Sequence, residues 1–408
     1  MVALALFAGA SSFLTGAMLL LALPVVASDG QERLFQLNTI VGSALVLLVF
    51  GTFLVFHAAS SLGRVASRAM GHHMPWYLLL AFPLLVGAGQ WLVLNPGSAP
   101  WLFPFVNAGI VAIPSVLIAL AVTRRYRDRN PWSWPVTWRE WVGAFGYGAI
   151  GAVMIAAIIN TGYLTGAGWL LLRWYDIDVG ADVLRGLPDL PRNAGVLFDL
   201  SALSVVAPLN EEFFKGFIVA LFWWRGGSVA RCFAWGVLAG TGFNLVETFI
   251  NSLALVDAGS PAADNASHWW IFGPARAGTA ALHGLAAGFA ALAFYGLFTR
   301  QWRFLLGYPL AVVLHGNWNA AVYLIAGSAV LSQAGPDSAV LALIGIALLV
   351  TLAVVSVALL WTISGQLRDR QPASIYRVLG MEPAGRTTAP GVPLWLGDRM
   401  KPVRQAPA

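Results

Sequence analysis

The sequence predicts an all-α, polytopic membrane protein: a bundle of about ten transmembrane helices with both termini in the cytoplasm. Three observations carry this. Of 408 residues, 58% are hydrophobic and only 10% charged, and the mean hydropathy is +0.73; a water-soluble domain carries roughly a quarter charged residues. Apolar runs long enough to cross about 30 Å of hydrocarbon recur along the whole chain. The short loops between them alternate in charge, basic then acidic.

The first run, 3–26, ends in small residues near Ala27 that could form a signal-peptide cleavage site. No basic residue precedes it and it is longer than a signal-peptide core, so it is expected to remain as a span. Runs at 39–61, 76–95, 101–123 and 142–172 follow. They hold little chemistry: His57 reads as a packed or snorkelling side chain, and Asn107 and Asn160 as hydrogen-bond partners between helices. The next spans are expected at 202–224, 232–255, 276–298, 304–326 and 338–363. Beyond Ser364, Pro, Gly and Arg replace any sustained apolar run. The expected organisation is an N-terminal membrane domain (1–200, about five spans), a four-span core (201–330), a last span (331–364) and a disordered cytoplasmic tail (365–408).

Charge sets the orientation. Arg64 and Arg68, Arg124 to Arg139, Arg225 and Arg231, and Arg300 and Arg303 fall in one set of loops, together with the basic tail. Asp29 and Glu32, Asp176 to Asp189, Asp257 and Asp264, and Asp337 fall in the other. Basic loops stay in the cytoplasm, which places both ends there. The net charge of +6 is therefore a topology signal, and no nucleic-acid partner is expected. The 43 glycines suit close helix packing in lipid. Cys232 is the single cysteine, which excludes an intrachain disulfide and a thiol-rich zinc site.

Spans six to nine differ from the rest, because they contain Glu211, Glu212, Lys215, Glu247, His283 and His315. Ionisable groups in hydrocarbon are costly and mark function by default. Each also has a plainer reading: Lys215 sits one turn after both glutamates and can neutralise one of them, and either histidine alone suits a packed core. The set as a whole is harder to explain that way. At 1.5 Å per residue, Glu211, Glu247, His283 and Asn319 lie roughly 20–22 Å, and His315 about 16 Å, from the cytoplasmic ends of four helices. Phe243 shares a face with Glu247, and His315 with Asn319. Glu211 and Glu212 diverge by about 100°, so one can face a site while the other pairs with Lys215. Pro208 sits one turn before them, where it can kink the helix, and Gly284, Gly288 and Gly316 beside the histidines allow close helix approach.

Residues 211–215 read EEFFK, 243–247 FNLVE, 283–288 HGLAAG and 315–319 HGNWN. These resemble the four motifs of the PrsW intramembrane proteases: EExxK, FxxxE, a His-led third motif, and HxxxD or HxxxN. The related CAAX-type peptidases carry EExxxR and FxxxH, whereas this chain has Lys215 at the shorter spacing and Glu247 at the second motif. Asn319 stands where PrsW proteins often have Asp. The resemblance covers about 195–330. It implies a glutamic-type peptidase acting on a membrane protein such as a single-pass anti-sigma factor in stress signalling. The abundance of Arg, Ala and Gly points to a GC-rich bacterium, and hence to its cytoplasmic membrane.

Amide hydrolysis needs an activated water and an oxyanion donor. Glu211 or Glu212, with Glu247, is expected to activate the water, His283 to assist the leaving amine, and His315 and Asn319 to hold the oxyanion, with Lys215 and Phe243 in support. Ser201 and Ser204 lack a nearby base in sequence. There is no HExxH pair, and Lys215 would compete with a cation, so no metal or other cofactor is expected. Two rivals remain: a transporter, which often shows repeated halves that are not visible here, and a non-catalytic scaffold, which needs no such cluster.

Overall fold

The computed structural model describes residues 2–26, 30–63, 65, 74–125, 136–175, 192–225, 227–253, 261–331 and 337–369. All regular elements among them are helices. The N-terminal half contains α1 (Val2–Leu19), α2 (Gly30–Leu37), α3 (Ser43–Leu62), α4 (Tyr77–Leu94), α5 (Phe103–Arg125), α6 (Trp138–Gly146) and α7 (Val153–Tyr175). Single π turns, Asn38–Gly42 and Tyr147–Ala152, join α2 to α3 and α6 to α7 into continuous rods. The C-terminal half contains α8 (Arg192–Ser201), α9 (Ala207–Gly216), α10 (Ile218–Phe222), α11 (Val229–Leu253), α12 (Ala262–Thr299), α13 (Gly307–Leu331) and α14 (Asp337–Asp369).

Eight of these stretches are long and apolar enough to cross a membrane, which makes the protein a multi-pass membrane protein. The remaining two expected spans, 202–224 and 304–326, are helical but fall outside that group. In the first, a π turn at Ala202–Val206 joins α8 to α9 and α10 follows, and Glu211, Glu212 and Lys215 lower its hydropathy. The second, α13, is one helix of 25 residues, and its His315, Asn317 and Asn319 lower its hydropathy. The two segments that miss the apolar measure are those carrying the first and fourth motifs.

Several boundaries differ from expectation. The second rod starts at Gly30, well before residue 39. The helix expected at 276–298 begins at Ala262, because Asp264, His268, Pro274 and Arg276 interrupt the apolar pattern without interrupting the helix. This moves Arg276 from a helix start to a helix interior. The last helix continues to Asp369, past Ser364. The expected disordered tail from 370 onward, and the loop charges at 126–135 and 176–191, lie outside the described residues.

Ends expected to share one side of the membrane meet in space. Arg139 donates to the Val65 carbonyl at 2.7 Å. Arg231 pairs with Glu140, which itself closes the capping box of α6 with Thr137. At the opposite end, Gln31 donates to the Val93 carbonyl at 2.8 Å. The innermost elements are α11 and α12, with 78% and 72% of their apolar windows buried, against 17% for the stretches containing α1 and α14. Glycine sets their separation: a Cβ added at Gly240 would collide with the backbone carbonyl of His283. Expected glycine contacts are met at Gly316, where a Cβ would strike the Ser204 carbonyl, but Gly284 faces side chains at 3.3 Å or more.

Candidate active site

Helix α9 projects Glu211, Glu212 and Lys215 inward, with its face packed on α12 and α13. The Lys215 ammonium is fully buried and lies 2.8 Å from Glu212 Oε1 and 3.2 Å from Glu211 Oε2. It also lies 2.8 Å from His283 Nδ1 and 3.9 Å from the centroid of the Phe243 ring. One cation thus joins α9, α11 and α12. Lys215 pairs with both glutamates, where the sequence suggested one.

The two imidazoles complete the cluster, with centroids 4.6 Å apart. Their environments assign the protons. His283 Nδ1 faces an ammonium, so it must accept, which leaves the hydrogen on Nε2, 3.0 Å from Glu247 Oε2 but outside hydrogen-bond geometry. His315 Nδ1 faces Glu212 Oε1 at 2.8 Å, so it must donate. Its Nε2 is then an acceptor and lies 3.7 Å from Glu211 Oε2. Two acceptor atoms therefore face each other across a gap that suits a shared hydrogen-bond donor or a cation.

Exposure separates the roles. Lys215, Glu212, His283 and His315 have side chains at most 2% exposed, while Glu211 is 12% and Glu247 29% exposed. The cluster thus opens through Glu211 and Glu247. Asn160 of α7 borders that opening, with Nδ2 3.4 Å from Glu211 Oε1 and Oδ1 accepting from Asn210 at 3.2 Å. Asn251 reaches Glu247 Oε1 at 3.3 Å, and Arg276 Nη2 lies 3.3 Å from the same oxygen.

Of the residues expected at the site, Glu211, Glu212, Lys215, Phe243, Glu247, His283 and His315 come together. Asn319 departs: its Nδ2 donates to the Leu203 carbonyl at 2.7 Å, within the π turn before α9, and among the described residues no hydrogen bond links it to the cluster. A π turn disturbs the regular helix ladder, and a side-chain amide is a suitable partner for a carbonyl there. Arg276 and Asn160 were not anticipated as site residues. The expected span 276–298 puts Arg276 at a helix start, and the sequence reads Asn160 as a link between helices, which its bond to Asn210 also makes it. Asn107 does serve as such a link, donating to Asn38 at 2.9 Å and to Ser252 at 2.8 Å.

Glu211, His283 and His315 offer an oxygen and two nitrogens within 4.8 Å of one another. A carboxylate with two imidazoles is a donor set of the kind that holds zinc, and Glu212 behind His315 is placed as a supporting carboxylate. The set fits such an ion in kind and spacing. In the observed arrangement the Lys215 ammonium takes the one lone pair that His283 offers in this tautomer.

A family model described as PrsW family intramembrane metalloprotease matches residues 136–360. No curated protein and no solved structure matches the chain. The matched region exceeds half of the chain and extends past the expected 195–330 at both ends. It takes in α6 and α7, which deliver Asn160, and most of α14. With the buried cluster lying wholly inside the matched region, the chain belongs to the PrsW family of intramembrane proteases and acts on membrane proteins within the bilayer.

Proposed function

We propose that this protease hydrolyses a peptide bond of a single-pass membrane protein with Glu211 as general base. The carrying observation is the facing pair of acceptors, Glu211 Oε2 and His315 Nε2, 3.7 Å apart beside the opening. A water about 2.8 Å from each can donate one hydrogen to either atom. Glu211 takes its proton as the oxygen attacks the scissile carbonyl, then passes that proton to the leaving amide nitrogen. A C–O bond forms, the C–N bond breaks, and the water is consumed. Glu212 keeps His315 in the tautomer that accepts from the water, and Lys215 balances the two carboxylates. Asn160 on the rim, beside Glu211 and with a second amide hydrogen to give, supplies a neutral donor for the oxyanion, the role expected of His315 and Asn319; Asn319 instead bonds the Leu203 carbonyl and makes no hydrogen bond to the cluster among the described residues.

A metal ion held by Glu211, His283 and His315 would add Lewis-acid polarisation of the carbonyl and a more acidic bound water. Substrate entry follows from exposure: a chain must reach the cluster past Glu211 and Glu247. A helix there has to open locally, because a peptide bond paired within a helix is not free to react. Anti-sigma factors of a bacterial cytoplasmic membrane, with one span each, suit this entry. The test is co-reconstitution in vesicles with tagged single-span candidates, comparing wild type with Glu212→Gln. Loss of cleavage at unchanged expression is expected, with Lys215 still paired by Glu211. Full cleavage by the variant would remove the site from the reaction.

A further inference from the structure

Arg276 stands outside the four motifs and inside the membrane-spanning helix α12. An arginine at a helix end serves orientation, as Arg300 does. One in a helix interior needs another reason. Arg276 precedes His283 by two turns on the same face. Its side chain is 12% exposed and its Nη2 lies 3.3 Å from Glu247 Oε1. Its Nε donates to Thr248 Oγ1 at 2.9 Å.

The guanidinium is itself held. Thr248 Oγ1 lies 3.4 Å from Asn244 Oδ1, and Asn244 Nδ2 donates to Ser115 of α5 at 2.9 Å. Both Glu247 oxygens thereby lie in ion-pair contact with α12, Arg276 Nη2 3.3 Å from Oε1 and His283 Nε2 3.0 Å from Oε2, without hydrogen-bond geometry. Without Arg276, Glu247 would keep only neutral partners, His283 and Asn251. It is also the most exposed acid of the cluster, free to swing toward the opening.

We infer that Arg276 is a positioning residue for proteolysis. It fixes the Glu247 carboxylate so that one oxygen faces His283, which holds the imidazole hydrogen on Nε2 and leaves Nδ1 to Lys215. Through Thr248, Asn244 and Ser115, α5 of the N-terminal half supports the site. This rests on the reading of the cluster proposed above.

The test uses full-length protein labelled with 15N-histidine in phosphatidylethanolamine–phosphatidylglycerol vesicles. With six histidines, the His283 ring signals can be assigned by their loss in His283→Asn. Arg276→Gln is expected to move them toward their positions in Glu247→Gln, while Arg276→Lys keeps them near wild type. With an end-labelled Leu–Ala–Gly transmembrane helix as probe, Arg276→Gln is expected to lower kcat at least tenfold at unchanged KM, with partial recovery in Arg276→Lys. If Glu247→Gln shifts the signals and Arg276→Gln leaves both spectrum and kcat unchanged, the inference is overturned and the proposed site stands. Equal losses of thermal stability in both Arg276 variants with unmoved His283 signals also overturn it, as a purely structural role. If Glu247→Gln itself leaves the signals unmoved, the pairing fails, and with it the site as proposed.

Discussion

Replacing Lys215 with Met tests the cluster most directly. Met keeps much of the aliphatic stem, so little volume is lost and the effect is electrostatic. The ammonium is fully buried, with Glu212 at 2.8 Å and Glu211 at 3.2 Å, the former also fully buried. Removing one partner of a buried pair costs about 3–5 kcal/mol, because the other charge is left uncompensated. That is a hundredfold or more in the unfolding equilibrium, since each 1.4 kcal/mol is about tenfold. The double variant Lys215→Met/Glu212→Gln removes both charges together. It should recover about 2 kcal/mol or more relative to Lys215→Met alone. Unfolding of purified protein by SDS titration in mixed micelles, followed by tryptophan fluorescence, measures both. Additive losses in the double variant would refute the reasoning, as would a single variant within 1 kcal/mol of wild type.

Asn319→Ala should cost about 1 kcal/mol through the lost bond to Leu203 and lower activity less than tenfold, whereas His315→Ala should abolish cleavage. A hundredfold fall in kcat for Asn319→Ala at unchanged stability would return it to the oxyanion. Because Lys215 engages the His283 lone pair, activity should survive a strong chelator, and Lys215→Met should retain more zinc than wild type at equal free zinc. Stoichiometric zinc in wild type, with activity lost on chelation and restored by zinc, would sink the metal-free mechanism. Cysteines placed at 64–75, 124–141 and 366–408 should label from the cytoplasm and those at 176–199 from outside. Native Cys232 is fully buried and gives little background. External labelling of the tail would reverse the orientation.

The helical architecture was legible because lipid leaves few alternatives: apolar length and loop charge are strong signals, and both are local. The cluster was legible because charged groups are rare in hydrocarbon, so six of them in four spans stood out. What failed was local in a different sense. Pro274 and Arg276 look like a helix boundary in a hydropathy window, yet packing against α4 and α11 carries the helix through them. Asn319 shares a face with His315, but a neighbouring π turn offered it a carbonyl that no spacing rule reveals. The close approach of α11 to α12 depends on Gly240, a residue that reads like any other small residue in a membrane helix.

The two helical segments that miss the apolar measure bear on how the enzyme is made. A single lysine at the centre of an inserting helix costs roughly 3 kcal/mol, and the segment with α9 also carries two glutamates. Such a segment does not enter the bilayer on its own merits; it needs earlier helices such as α7 and later ones such as α12 and α13 to shelter its charges. The proteolytic centre therefore comes into being at the end of biosynthesis, once the downstream helices have emerged from the ribosome. A chain still in synthesis, or truncated before α13, has no assembled site with which to cut its neighbours.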